Sequence, residues 1–152
     1  MQKNEDVTKE TPESRLAAQA WARGEIDLGR DLYRKCVGTA KEPGYLLPPS
    51  FYLSEWARME GTIGNREAFE RLHLESISLQ PNAPFLRLCY ARDTWAEFKD
   101  GPRCMELIAE LEDLLASDRW DRGTDLAPLA YQKKIETLKA WVRGEPGGDI
   151  WP

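Results

Sequence analysis

The sequence predicts an all-α fold of about seven helices, and three observations in it predict this. Apolar residues recur at spacings of three and four along most of the chain, and no segment alternates polar and apolar residues as a half-buried strand would. Turn-forming Gly, Pro and Asn clusters divide the chain into segments of helical length. Finally, Ala20-Trp21-Ala22-Arg23-Gly24-Glu25 returns as Ala140-Trp141-Val142-Arg143-Gly144-Glu145, with looser echoes at Trp56-Ala57-Arg58 and Trp95-Ala96-Glu97. The tryptophans of these four segments lie 35, 39 and 46 residues apart, the spacing of stacked helical hairpins.

The elements follow in order. Residues 1–10 are polar and mixed in charge and read as a disordered tail, ahead of one helical domain over 11–144 and a tail over 145–152. Thr11 stands at the N-cap and Pro12 at the first position of a helix carrying Leu16, Ala17, Ala20 and Trp21 up to Gly24. A second helix begins near Glu25 with Leu28, Leu32, Tyr33, Cys36, Val37 and Ala40 on its stripe, and Glu42-Pro43-Gly44 stops it. Ser50 caps a third helix bearing Tyr52, Trp56, Met59 and Ile63. Asn65 caps a fourth bearing Ala68, Phe69, Leu72, Ser76 and Leu79. The fifth, roughly Pro84 to Lys99, is apolar over much of its girth, as a central helix is. Asp100-Gly101-Pro102 starts a sixth with Cys104, Leu107, Ile108, Leu111, Leu114 and Leu115. After the polar loop 117–124, Thr124 or Asp125 caps a seventh with Ala127, Ala130, Tyr131, Ile135, Leu138, Trp141 and Val142.

The expected architecture is three stacked antiparallel hairpins and a C-terminal capping helix, because a terminal helix must cover the last hairpin's apolar face. Charge favours that placement: residues 100–126 carry a balance of −5 and residues 127–143 one of +3.

The chain resembles the tetratricopeptide repeat superfamily and, more faintly, its half-a-tetratricopeptide branch. In the first unit Leu16-Ala17, the turn glycine Gly24, the small Gly29, Tyr33 and Cys36 occupy the family's positions. In the second, Leu53, Trp56-Ala57, Gly64, Ser76 and Pro81 do, with Phe69 and His73 departing from the pattern. Aligning turns and aligning tryptophans give registers five residues apart, since Trp21 precedes Gly24 by three and Trp56 precedes Gly64 by eight; the family's register is that of the turns. The resemblance implies a superhelix of helical pairs that holds peptides or proteins on a concave surface.

Composition narrows the chemistry. At 152 residues, 41% hydrophobic and 31% charged, the chain is long and apolar enough for a core. A net charge of −5 lacks the basic footprint of nucleic-acid binding, so no nucleic-acid partner is expected. The chain shows no secretory leader and no apolar run of membrane-spanning length, so it reads as cytoplasmic with no membrane partner. Cys36, Cys89 and Cys104 read as buried free thiols, and no disulfide, metal or cofactor is expected. His73 lies in a core-forming stripe without a nucleophile motif, and Gly61-Thr62-Ile63-Gly64-Asn65 lacks the lysine of a phosphate loop, so no catalytic residue is assigned.

The expected function is a non-catalytic module, whether adaptor, chaperone or complex subunit, that binds a peptide or protein. First helices of the hairpins would line its surface, with Arg58, Arg87, Arg92 and Lys99 as cations and Tyr52, Tyr90 and Trp95 as aromatic surface. Trp120, in the polar loop, either plugs the stack or anchors a partner. Glu106, Glu110 and Asp113 share one helix surface. They motivate the alternative of a small acidic immunity or inhibitor protein that neutralises a basic toxin.

Overall fold

A computed structural model describes residues 11–120 and 128–145, and among these it has seven α-helices and no β-strand. They are α1 (Pro12–Ala22), α2 (Ile26–Thr39), α3 (Pro49–Thr62), α4 (Arg66–Leu79), α5 (Pro84–Phe98), α6 (Gly101–Ala116) and α7 (Pro128–Val142). The contacts group them into two compact units, Met1–Leu79 and Gln80–Pro152. The tail expected at 1–10, the caps expected at Thr124 or Asp125, and residues 146–152 of the expected C-terminal tail lie outside the described residues.

The repeated hexapeptide is a helix terminus with its own hydrogen-bond pattern. Gly24, Gly64 and Gly144 have φ of 80°, 78° and 79°, in the left-handed region where a side chain is strained. That conformation folds the last amides back on the helix: Gly24 N–H donates to the Trp21 carbonyl at 3.0 Å and Glu25 N–H to the Ala20 carbonyl at 2.9 Å. Gly144 to Trp141 and Glu145 to Ala140 repeat the pair at 3.0 and 2.9 Å, and Gly64 and Asn65 make it with Gly61 and Glu60. The flanking side chains repeat as well, with Arg23–Glu25 and Arg143–Glu145 ion pairs both at 2.7 Å. The recurring Ala-Trp-x-Arg-Gly-Glu string thus encodes one capped turn made at the ends of α1 and α7.

In the first unit α1 packs on α2 and α3 on α4, and α2 also packs on α3. Three rings form the centre of this core: Tyr33 lies 6.0 Å from Trp56 at an interplanar angle of 9° and meets Trp21 edge-on at 6.2 Å. Around them sit Ala17, Leu53, Ala57 and Leu72. Gly29 is what lets α1 approach α2, because a Cβ there would lie 2.8 Å from Trp21 Cε3 and 3.4 Å from the Ala17 carbonyl oxygen. Leu28, one residue earlier and so turned about 100° from that buried centre, is exposed rather than on the stripe. Leu16, Ile63 and Leu79 are likewise exposed, each at the edge of a buried face that the spacing drew too wide.

Two caps differ from expectation. Thr11 does hold the N-cap of α1 but makes no side-chain cap hydrogen bond, its hydroxyl lying 2.9 Å from Cys36 Sγ. Helix α3 starts one residue earlier than Ser50, at Pro49, because proline's fixed φ suits the first helical position; the Ser50 carbonyl instead accepts from Ser76 Oγ at 2.6 Å. Asn65 and Asp100 cap as expected, accepting from Ala68 N–H at 3.3 Å and Arg103 N–H at 3.0 Å.

In the second unit α5 packs on α6, and α7 lies against both. Helix α6 buries Cys104, Leu107, Ile108, Leu111 and Leu114, and α7 faces them with Tyr131, Ile135 and Leu138. Between the described residues of these oppositely charged segments, Lys139 Nζ pairs with Glu112 Oε2 at 2.9 Å. The turn from α5 to α6 uses Lys99 in the left-handed region, φ 51°, where the turns after α1 and α3 use Gly24 and Gly64. No described helix is long and apolar enough to cross a membrane.

Candidate functional site

The first unit joins α1 and α3 through two hydrogen bonds. Ser14 Oγ donates to Glu55 Oε2 at 3.3 Å, and Trp21 Nε1 donates to Thr62 Oγ1 at 3.3 Å, each pair 41 residues apart. Equal separations at both ends mean that the two first helices run side by side, parallel and in register. Arg58 lies one turn beyond Glu55 on α3, half-buried, with its charge close enough to Tyr33 to lower that phenol's pKa. Burial nevertheless leads and pushes the Tyr33 hydroxyl well above its ordinary value, reinforced by Glu55, to which it donates at 2.9 Å. Glu55 therefore accepts from both α1 and α2 and ties three helices together at this surface.

Beneath the far end lies the second polar centre. Glu60 is 2% exposed, and its carboxylate accepts from Trp56 Nε1 at 3.0 Å, Arg30 Nε at 2.8 Å, Arg30 Nη2 at 3.0 Å and Asn65 Nδ2 at 3.2 Å. Burial raises its pKa, but the hydrogen bonds from Arg30, Trp56 and Asn65 together with the Arg30 charge outweigh that and hold it below the usual value. Arg30 also lies 5.9 Å from the Trp21 ring and Arg34 5.6 Å from the Trp56 ring. Every acceptor is matched to a donor within the fold, so this carboxylate holds α2, α3 and the turn together.

Sequence spacing reveals neither centre. Glu55 and Glu60 read as ordinary charges on an amphipathic helix, and only the partners brought by α1 and α2 identify them. The available signal was Glu60 four residues after Trp56, a carboxylate within reach of an indole N–H on one helical face.

The other expected site residues divide by exposure. Tyr52, Tyr90 and Trp120 are buried, so their rings are core rather than surface. Tyr52 packs with Cys36 and Ala40, and Trp120 meets Tyr131 edge-on at 6.2 Å, which gives the loop aromatic an internal partner. Trp95 and Lys99 form one half-open group at the end of α5, with Lys99 Nζ 5.1 Å from the ring centroid. Arg92 is committed to Asp93, 2.6 Å away with a side chain only 2% exposed. Arg87 donates to the Pro81 carbonyl at 3.3 Å and to Glu110 at 3.4 Å.

The acidic surface of α6 is partly neutralised in the same way. Glu106 pairs with Arg103 at 2.9 Å and Glu110 with Arg87, while Asp113 is exposed. His73 is fully buried with its ring edge-on to Phe69 at 4.8 Å. The three cysteines are buried and none is in a disulfide; burial pushes Cys36 up to about 11 and Cys104 up to about 12. Among the described residues no cluster of His, Cys, Asp and Glu has the arrangement of a metal site.

Comparison with known proteins finds no family model, no curated protein and no solved structure that matches the chain.

Proposed function

We propose that the protein is a non-catalytic interaction module that binds a peptide or protein partner on the first helices of its hairpins. The observation that carries this reading is the parallel, in-register alignment of α1 and α3 through Ser14–Glu55 and Trp21–Thr62. Two rigid helices side by side offer a ribbon of fixed side-chain positions, and a binding surface with little left to order on association loses less entropy. On that ribbon Arg58 supplies the cation. In the second unit, Lys99 with Trp95 supplies a cation and an apolar ring at the end of α5. Arg92 is a positioning residue for Asp93 in this reading, and Tyr52, Tyr90 and Trp120 support the surface from the core.

The test compares capture of partners from source cells by the wild-type chain and by Arg58→Glu and Lys99→Glu. Circular dichroism confirms equal helicity. Loss of the same captured protein by either charge reversal supports the reading; identical capture by all three chains refutes it. The alternative of an acidic inhibitor of a basic toxin rests on α6, where Arg103 and Arg87 already offset Glu106 and Glu110, and it is the weaker of the two.

A further inference from the structure

A cleft of about 480 Å³ opens between α6 and α7 in the second unit. Its walls are Leu115 and Ala116 from α6 with Pro128 and Ile135 from α7, and carboxylates stand on both sides, Glu112 on α6 and Glu136 on α7. Apolar walls with acidic rims are the complement of one kind of side chain, a long aliphatic stem carrying a cation. The molecule supplies its own stand-in for the ligand's charge. The ammonium of Lys139 lies 2.9 Å from Glu112 and 3.9 Å from Glu136, while Lys139 itself is not among the residues lining the cleft. One ammonium against two carboxylates leaves the pair with a net negative charge. Glu136, 70% exposed and at the longer distance, keeps most of its acceptor capacity.

We infer that the α6–α7 cleft is a subsite for an arginine or lysine side chain of a partner polypeptide. The stem lies along Leu115, Ala116 and Ile135, and the head is held by Glu136 and Glu112 in competition with Lys139. This subsite uses neither Arg58 nor Lys99 and goes beyond the reading given above, so either can fail without the other.

The test is a nuclear magnetic resonance titration of the full chain with the peptide acetyl-Ala-Leu-Arg-Leu-Ala-amide and with its citrulline counterpart, equal in shape but uncharged. The arginine peptide should shift the resonances of Gln132, Ile135 and Glu136, and the citrulline peptide should leave them in place. Glu112→Gln and Glu136→Gln should each weaken binding about two- to fivefold, the range of exposed charge contacts. Lys139→Met removes the internal competitor and should tighten binding by a similar factor, an outcome that a purely structural role for the two carboxylates would not produce. Glu136→Lys places a cation on the rim and should abolish the shifts while the spectrum stays folded. Shifts spread equally over Glu106, Glu110 and Asp113, equal response to the citrulline peptide, no shift at millimolar peptide, or Lys139→Met binding no tighter than wild type would each overturn the inference.

Discussion

The indole of Trp21 and the hydroxyl of Thr62, 41 residues apart in sequence, are joined by a 3.3 Å hydrogen bond, and Ser14 reaches Glu55 over the same separation. This relationship resolves the ambiguity between the tryptophan and turn registers. Trp21 is three residues before its turn glycine, and in α3 the position with that offset is Gly61, so Trp21 and Trp56 occupy different places in their hairpins. They belong to one core cluster because both pack on Tyr33. The tryptophans mark a shared cluster, and the glycines mark the repeat.

Gly29→Ala should destabilise the protein by about 1–3 kcal/mol, since the new methyl collides with a ring that has no room to move. Gly38→Ala, in the same helix with open space around it, should stabilise by about 0.5–1 kcal/mol. Denaturant midpoints of the two variants, moving in opposite directions, check both.

Lys99→Gly should raise stability by roughly 0.5 kcal/mol, as relief of the left-handed backbone exceeds the lost contact with Trp95. Gly64→Ala, at φ 78°, should lower it by about 1 kcal/mol. Thermal unfolding of the pair measures the difference.

Glu60→Gln removes the charge that Arg30, Trp56 and Asn65 converge on and should cost about 2–3 kcal/mol at neutral pH. Its pKa is lower folded than unfolded, so its stabilisation is present above the unfolded value near 4.5 and is lost as pH falls through the lower folded value. Stability measured from pH 7 down to pH 3 should therefore fall less steeply below pH 4.5 in Glu60→Gln than in the wild type.

Trp120→Ala should cost about 3 kcal/mol, because the ring is buried against Tyr131. An unchanged unfolding midpoint would instead return Trp120 to the surface role that its polar neighbours suggest.

The thiols should resist alkylation in the native state at pH 8, where Cys36 and Cys104 remain protonated as well as buried. Labelling rates that follow the fraction unfolded across a denaturant series are the expected result.

Helices and their ends were legible in the sequence because their signals are local. Asn65, Asp100, Pro84 and the glycine turns act within a few residues of themselves. What was not legible depended on approach between distant segments. Nothing near Thr11 announces that Cys36 will lie beside it, and nothing near Glu55 announces Ser14 and Tyr33. Tyr52 and Tyr90 were expected at the surface because an aromatic on a first helix suits a groove as well as a core, and spacing does not distinguish the two. The α6–α7 cleft needed Glu112 and Glu136 from different helices, and only the packing of those helices brings them together.

The parallel register of α1 and α3 supports both the fold and the proposed surface, and one nuclear Overhauser measurement tests it. Irradiation of the Trp21 indole proton should give a cross-peak to the Thr62 methyl group and none to Phe51 at the other end of α3. A cross-peak to Phe51, or silence at Thr62 in the folded protein, would contradict the account.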